Sequence, residues 1–317
     1  MVSLQKVDRS MYEEVFPLLL DLNAQVNWRN VFDYNWQAED YCGYGLFDGK
    51  EVVGFLGLIF SRRAIADRVE NFCNIHSWIV KPQYRDRSLS LLLPVLRLKD
   101  CTLTDLSPAP RAIEILQKLG FKRLDSKLRV LLPVSGRNRS AIEIVHLSQE
   151  KPQIAEQFSK QDLKLFQDHS SYSNCYHLLI DNGKNYCYVI YTIVKQAFLS
   201  HCYIQYISNI QIFSQYSGAI RSEIIRHSRI PLVVVDSRLI APFKLPFSYD
   251  LPFSFPKLYR SSSLKLAQID NLYSELILLN FSLIPSNLKE LRGLWHETKY
   301  WYEIKNTFKK NTCGISE

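Results

Sequence analysis

A chain of 317 residues is long enough for two ordinary domains or one large one. Its 47% hydrophobic and 22% charged residues suit a globular protein with a sizeable core, and no apolar run reaches the roughly 18–20 residues of a membrane span. The net charge of +8 favours acidic ligands, but the basic residues gather only in small clusters (Arg62 with Arg63, Arg85 with Arg87, Lys305 with Lys309 and Lys310), so nucleic acid is not the expected partner.

The opening MVSLQKVDRS lacks the apolar core of a secretory signal, and the seven cysteines are scattered without a CxxC pair. Both point to a cytoplasmic protein with reduced thiols and no metal site. Residues 2–7 read as a strand, and Asp8 or Ser10 then caps a helix whose apolar stripe carries Met11, Val15, Phe16, Leu19 and Leu22. Pro17 should interrupt or bend that helix. Residues 27–40 are irregular or form a second short helix. Tyr44 to Phe60 reads as a hairpin around Asp48-Gly49, followed by a polar linker with Arg62, Arg63 and Asp67.

Phe72 to Val80 is a buried strand, followed by a basic turn and a Leu-rich helix from near Ser88 that Pro94 should kink. A strand feeding a helix through a polar turn offers backbone N–H groups and a helix N-terminus to an anion. With Arg85 and Arg87 this makes a cradle for a pyrophosphate. Strand alternation puts Asn74, His76 and Trp78 on one face and Cys73, Ile75, Ser77 and Ile79 on the other. His76 titrates near neutrality when unperturbed and is a candidate general base, with Glu70 as the second candidate. A lone histidine on a buried strand also reads as a hydrogen-bonded core residue.

Further on come a strand (Cys101 to Leu106), a proline-bounded loop, a helix (Arg111 to Leu119) closed by Gly120, and strand material from Phe121 to Val134. The turn-rich Gly136 to Ser140 marks a boundary, giving units at 1–135 and 169–308, a connector at 136–168 that is helical from Ser148, and a disordered tail at 309–317. The second half repeats the order of the first. A hairpin (Tyr176 to Val194) is followed by a strand (His201 to Ser208), a helix (Phe213 to His227) and a strand (Pro231 to Val235). A Pro- and Phe-rich insertion (Ala241 to Pro256) then precedes an amphipathic helix (Ile269 to Leu279).

Three phrases carry a family resemblance: Val53-Gly54-Phe55 after the Asp48-Gly49 hairpin, Val80-Lys81-Pro82-Gln83-Tyr84-Arg85, and Lys118-Leu119-Gly120-Phe121. In this order they resemble the Gcn5-related N-acetyltransferase (GNAT) superfamily over residues 3–134. The resemblance implies an α/β fold with a mixed sheet, here as two tandem GNAT-like units with the second degenerate. It also implies acyl transfer from acetyl-CoA or another acyl-CoA to an amine of a small molecule such as an amino sugar. The cofactor-binding residues it implies are Ile79, Val80, Arg85, Asp86, Arg87, Ser88, Leu89 and Ser90, with serine where the family's phosphate loop has small residues, usually glycine. The family's acid tyrosine aligns with Leu116, and the asparagine often found at that helix's start aligns with Ala109, leaving Tyr84 or Tyr44 as substitutes. Asp236 and Arg238, at the end of the last buried strand of the second half, are candidates for binding the acceptor, and read equally as a structural ion pair. The alternative is a non-catalytic GNAT-fold binding or scaffold protein.

Overall fold

The computed structural model describes residues 1–65, 68–124, 127–134, 141–148, 157–195, 199–241, 243–251 and 256–284. Val2–Val7 (β1) pairs antiparallel with Gly43–Asp48 (β2), which turns into Glu51–Ile65 (β3). Gly49 makes that turn with φ 64°, a left-handed conformation that glycine adopts without strain. Arg68–Val80 (β4) returns along β3 with Ile65 opposite Arg68, so a long hairpin replaces the expected linker. Of the polar residues that read as a linker, Arg63 is a partnered side chain within the hairpin. Arg63 lies 4.8 Å from the Phe72 ring and 5.2 Å from that of Tyr273, and forms an ion pair with Asp270.

Tyr12–Leu22 (α1) covers one face of this sheet through Val15, Leu18 and Leu19. It runs through Pro17 rather than ending there, because the buried stripe outweighs one missing hydrogen bond. Ser88–Leu96 (α2) and Pro110–Lys118 (α3) cover the other face, on either side of Cys101–Asp105 (β5). Gly120 follows α3 with φ 90°, the expected left-handed C-cap.

Lys122–Leu124 (β6) and Leu128–Leu131 (β7) were expected to lie together in the first unit, yet they belong to different sheets. The second half contributes Glu143–Leu147 (β8), Lys160–His169 (α4), Cys175–Asp181 (β9), Tyr186–Val194 (β10) and His201–Ile207 (β11). Ile210–Gln215 (α5), Ser217–Ser228 (α6), Val233–Asp236 (β12), Ser237–Ile240 (α7), Ser248–Asp250 (β13), Lys257–Arg260 (β14) and Glu275–Leu278 (α8) follow. The strand β8 falls within the stretch read as connector, and of the helix expected over Ile269 to Leu279 only the four residues of α8 form. The tail at 309–317 lies outside the described residues.

The two sheets have the orders β1-β2-β3-β4-β5-β14-β6 and β8-β9-β10-β11-β12-β7-β13. They are the same arrangement with the sixth places exchanged. In each, four antiparallel strands lead to one parallel pair (β4 with β5, β11 with β12), and the next strand comes from the other half. Leu258 of β14 and Leu131 of β7 are both fully buried in the host sheet's core, and each contributes about 1.5–3 kcal/mol there. A seam of apolar residues from both halves, including Phe72, Leu106, Tyr203, Val234 and Leu276, joins the sheets. The six described cysteines are all free thiols. No helix among the described residues is long and apolar enough to cross a membrane.

Candidate active site

The parallel pairing of β4 with β5 runs only from Asn71 opposite Cys101 to Asn74 opposite Thr104. Beyond it β5 ends at Asp105 while β4 continues to Val80, so the sheet opens into a notch. Within the notch β4 carries a bulge. Phe55 faces Ile79 and Gly57 faces His76, so Ser77 and Trp78 together oppose the single residue Leu56. Ser77 absorbs the extra residue with φ 51°. The bulge breaks the expected alternation. Trp78 turns to the α2 face, while Ile79 packs beside Phe55 on the α1 face.

A cavity of about 280 Å³ lies in the notch, lined by His76, Trp78, Asp105, Ser107, Asn23 and Phe281 among others. His76 is buried with its ring over Gly57, where a side chain as small as a methyl group would come within 2.2 Å of it. Its Nδ1 shares a 2.8 Å hydrogen bond with Ser77 Oγ, and its Nε2 is buried without a partner among the described residues. Burial pushes its pKa down to about 3, so the ring is neutral at physiological pH.

Asp105 is buried beside it, and among the described residues no cation pairs with its carboxyl. Burial, and then the charge of Glu275, push that carboxyl well above the ordinary carboxylate range. Glu275 arrives from the second half at the start of α8. Its Oε1 accepts hydrogen bonds from the Leu106 N–H (3.2 Å) and the Ser107 hydroxyl (2.8 Å). Its own N–H donates to Asn74 Oδ1 at 3.1 Å, and Asn74 Nδ2 donates to Thr104 Oγ1 at 3.1 Å. Burial raises the Glu275 pKa as well. Two carboxyls in one desolvated notch titrate as a pair, each disfavouring the charged form of the other.

The basic turn after β4 is a 3-10 helix over Pro82–Arg87 that runs directly into α2. Tyr84 N–H bonds the Lys81 carbonyl (2.9 Å), and the N–H of Ser88 bonds that of Arg85. Backbone donors expected to face an anion are therefore partly taken up inside the turn. Ser90 Oγ donates to the Arg87 carbonyl at 2.6 Å, and Trp78 Nε1 donates to the Ser88 carbonyl at 3.3 Å. Arg85 and Arg87 remain exposed, Arg87 at 3.4 Å from its neighbour Asp86. By charge the turn fits a pyrophosphate; by backbone it is a side-chain site rather than a glycine-relaxed amide cradle.

No family model matches the chain, and no curated protein matches its sequence. Solved structures do. A GCN5-related N-acetyltransferase from Anabaena variabilis superposes with a TM-score of 0.57 at 13% identity, over 82% of this chain and 72% of that one. One from Kribbella flavida gives 0.54 at 13% identity over 82% and 72%. An Enterococcus faecalis protein of unknown function, described as "Probable N-Acyltransferase", gives 0.56 at 12% identity over 84% and 74%. The chain has the GNAT fold. Overlap of this extent takes in both sheets, as the tandem reading of the sequence expected.

On this GNAT frame the other expected site residues scatter. Glu70 lies six residues along β4 from His76, about 20 Å at strand rise, and is held by Arg68 (2.5 Å) and the Ser263 hydroxyl (2.9 Å). Tyr84 donates its hydroxyl to Asp48 Oδ2 at 2.7 Å, an interaction that raises the phenol's pKa and ties the turn to the β2–β3 hairpin. Neither residue lines the notch cavity. Asp236 is fully buried at the end of β12. Arg238 chelates it (Nε to Oδ1 3.1 Å, Nη2 to Oδ2 2.8 Å), and Lys257 Nζ stands 3.2 Å from Oδ2. Lys257 belongs to the exchanged strand β14 and also bonds Asn271 Oδ1 (2.7 Å) and the Tyr203 hydroxyl (3.2 Å). The cluster bolts the two sheets together and leaves Asp236 no surface for an acceptor. Asp105 and Glu275 were not singled out from sequence, although a strand-terminal aspartate before Ser107-Pro108 was a usable signal for Asp105.

Proposed function

We infer that the chain is an acyltransferase that moves an acyl group from acyl-CoA to an amine of a small molecule, with the chemistry in the notch between β4 and β5. The observation that carries this reading is Asp105, a buried carboxyl without a paired cation, lining a cavity beside a neutral histidine. An amine arrives as an ammonium and must lose a proton to attack. A carboxylate whose pKa burial has raised accepts that proton far better than an ordinary one. Asp105, rather than His76 or Glu70, is the base in this account. His76 stays neutral and offers Nε2 as a hydrogen-bonding atom to the reacting groups.

Acyl-CoA, when bound, supplies an acyl group already activated as a thioester. Arg85 and Arg87, with the Ser88 hydroxyl, are the side chains that would hold its pyrophosphate, and Ile79, Val80, Asp86, Leu89 and Ser90 border that position. A thiolate leaves without strong protonation, so the leucine at the family's acid position is compatible with turnover. The scaffold reading retains one favourable observation: the turn's backbone donors are partly used up in a 3-10 helix and its glycines are missing.

The test is thiol release from acetyl-CoA across a panel of small amines, by wild type and Asp105→Asn. The expected result is amine-dependent release that falls at least about 100-fold in the variant. A folded wild-type protein that neither binds acetyl-CoA nor releases thiol would leave the scaffold reading.

A further inference from the structure

A second cavity of about 990 Å³ lies between the two halves and shares Asn23 and Phe281 with the notch cavity, so the two abut. Its size is at the upper end of ordinary ligand sites. Its chemistry is unusual for so basic a chain. Of sixteen lining residues six carry carboxamides, one is a lysine (Lys195), and none is acidic.

Two of the carboxamides are held in fixed orientations. Asn174 Nδ2 donates to the Ile277 carbonyl at 2.8 Å, and Asn280 Nδ2 donates to the Ile193 carbonyl at 2.9 Å. A carbonyl partner can only face the NH₂ end of an amide, so these bonds settle which end is which. For these two side chains the oxygens are what remains. Asn280 Oδ1 is buried and has no partner among the described residues. The acceptor oxygens of these two side chains are thus left for O–H or N–H donors, and the aromatic rings of Tyr176 and Phe281 supply flat apolar faces in the same cleft.

We propose that this amide-lined cleft binds the body of the acceptor, and that the acceptor is a monoamine on an uncharged polyhydroxyl body of the amino-sugar class. This rests on the acyl-transfer reading above. The body lies in the cleft with its hydroxyls on Asn174 and Asn280, and its single ammonium reaches past Asn23 and Phe281 to Asp105. A polyamine would place its further ammonium groups among carboxamides beside Lys195, with no carboxylate among the described lining residues to receive them, so the cleft selects against it.

The test is calorimetric titration of the full chain with glucosamine, glucose and spermidine, which reads binding whether or not the chain turns over. The expected order is glucosamine, then glucose, with spermidine weaker than both. Asn174→Leu should weaken glucosamine and glucose about tenfold alike. Asn174 also supports a backbone carbonyl, so a second variant guards against misfolding. Gln25→Glu, at an exposed lining residue whose side chain makes no hydrogen bond or ion pair among the described residues, should leave the melting temperature unchanged and shift preference at least about tenfold toward spermidine. Spermidine binding wild type as tightly as glucosamine, or a folded Asn174→Leu with unchanged glucose affinity, overturns the cleft assignment. Sugar binding in a chain that releases no thiol with any amine would sink the acyl-transfer reading and leave the cleft standing.

Discussion

Asp105 ends β5 and Asp236 ends β12, the same place in two sheets of the same strand order, yet the two carboxylates live in opposite surroundings. In the first sheet the exchanged strand β14 brings Leu258 opposite Asp105, and the nearest charge is another carboxyl, Glu275. In the second sheet Lys257, from the same exchanged strand, reaches Asp236 together with Arg238. Burial and a second carboxyl raise the pKa of one aspartate, while the other is ion-paired with Arg238 and Lys257. The first notch contains a cavity, while the cation of the partner sheet fills the second. The lesson is that a repeated fold can treat equivalent strand ends differently, with one opening on a cavity and the other used as a clamp between the sheets; under the proposed function the first is the one kept for chemistry.

Paired substitutions break the comparison most sharply. Asp105→Asn should cost about 10²–10⁴ in kcat and leave the melting temperature unchanged or raised, since it removes a desolvated acid. Asp236→Asn should do the reverse. Stranding Lys257 and Arg238 without their anion should cost about 3–5 kcal/mol in urea unfolding, with activity per folded molecule retained. Gly57→Ala comes next. Its methyl would meet the His76 ring, so we expect about 1–3 kcal/mol of destabilisation together with reduced thiol release, from strain at the notch alone.

The pH dependence sharpens the same contrast. An unfolded histidine takes up a proton below about 6.5. Folded, His76 and His177 resist to about 3 and His169 to about 4, all through burial. The unfolded state therefore binds more protons across that window, and stability should fall as pH drops below about 6.5. Asp105 and Glu275 act in the other direction. Their raised values let the folded state keep protons that the unfolded state releases above about 4, so stability is lost as pH rises through their folded pKa values. Urea midpoints across pH should show both limbs, and Asp105→Asn should flatten only the alkaline one.

Much of the fold was legible. Asp48-Gly49 and Gly120 announce turns because each glycine takes a backbone conformation that other residues resist, and the second half repeats the first's order of hairpin, strand, helix and strand. The exchange of β7 and β14 was not legible. Both strands keep the alternation that either sheet accepts, and sequence does not say which partner a strand meets. The bulge at Ser77 escaped for a similar reason, since a serine with positive φ leaves no mark, and one extra residue was enough to reverse the faces of Trp78 and Ile79. Of the candidate site, the basic turn and His76 were singled out from the sequence, but not Asp105 or Glu275; the Asp105 neighbour Ser107 bonds Glu275 across 168 residues of chain. Asp236 and Arg238 looked like a site because they are a polar pair at a strand end; a cation from elsewhere in the chain makes them a clamp.

The smallest expected effect belongs to the most direct measurement, calorimetric titration of the folded chain with acetyl-CoA, repeated with Arg85→Ala. The account predicts binding in the micromolar range, weakened about tenfold or more in the variant because a charge-assisted contact to phosphate is lost. A folded wild-type chain that takes up no acetyl-CoA would contradict it.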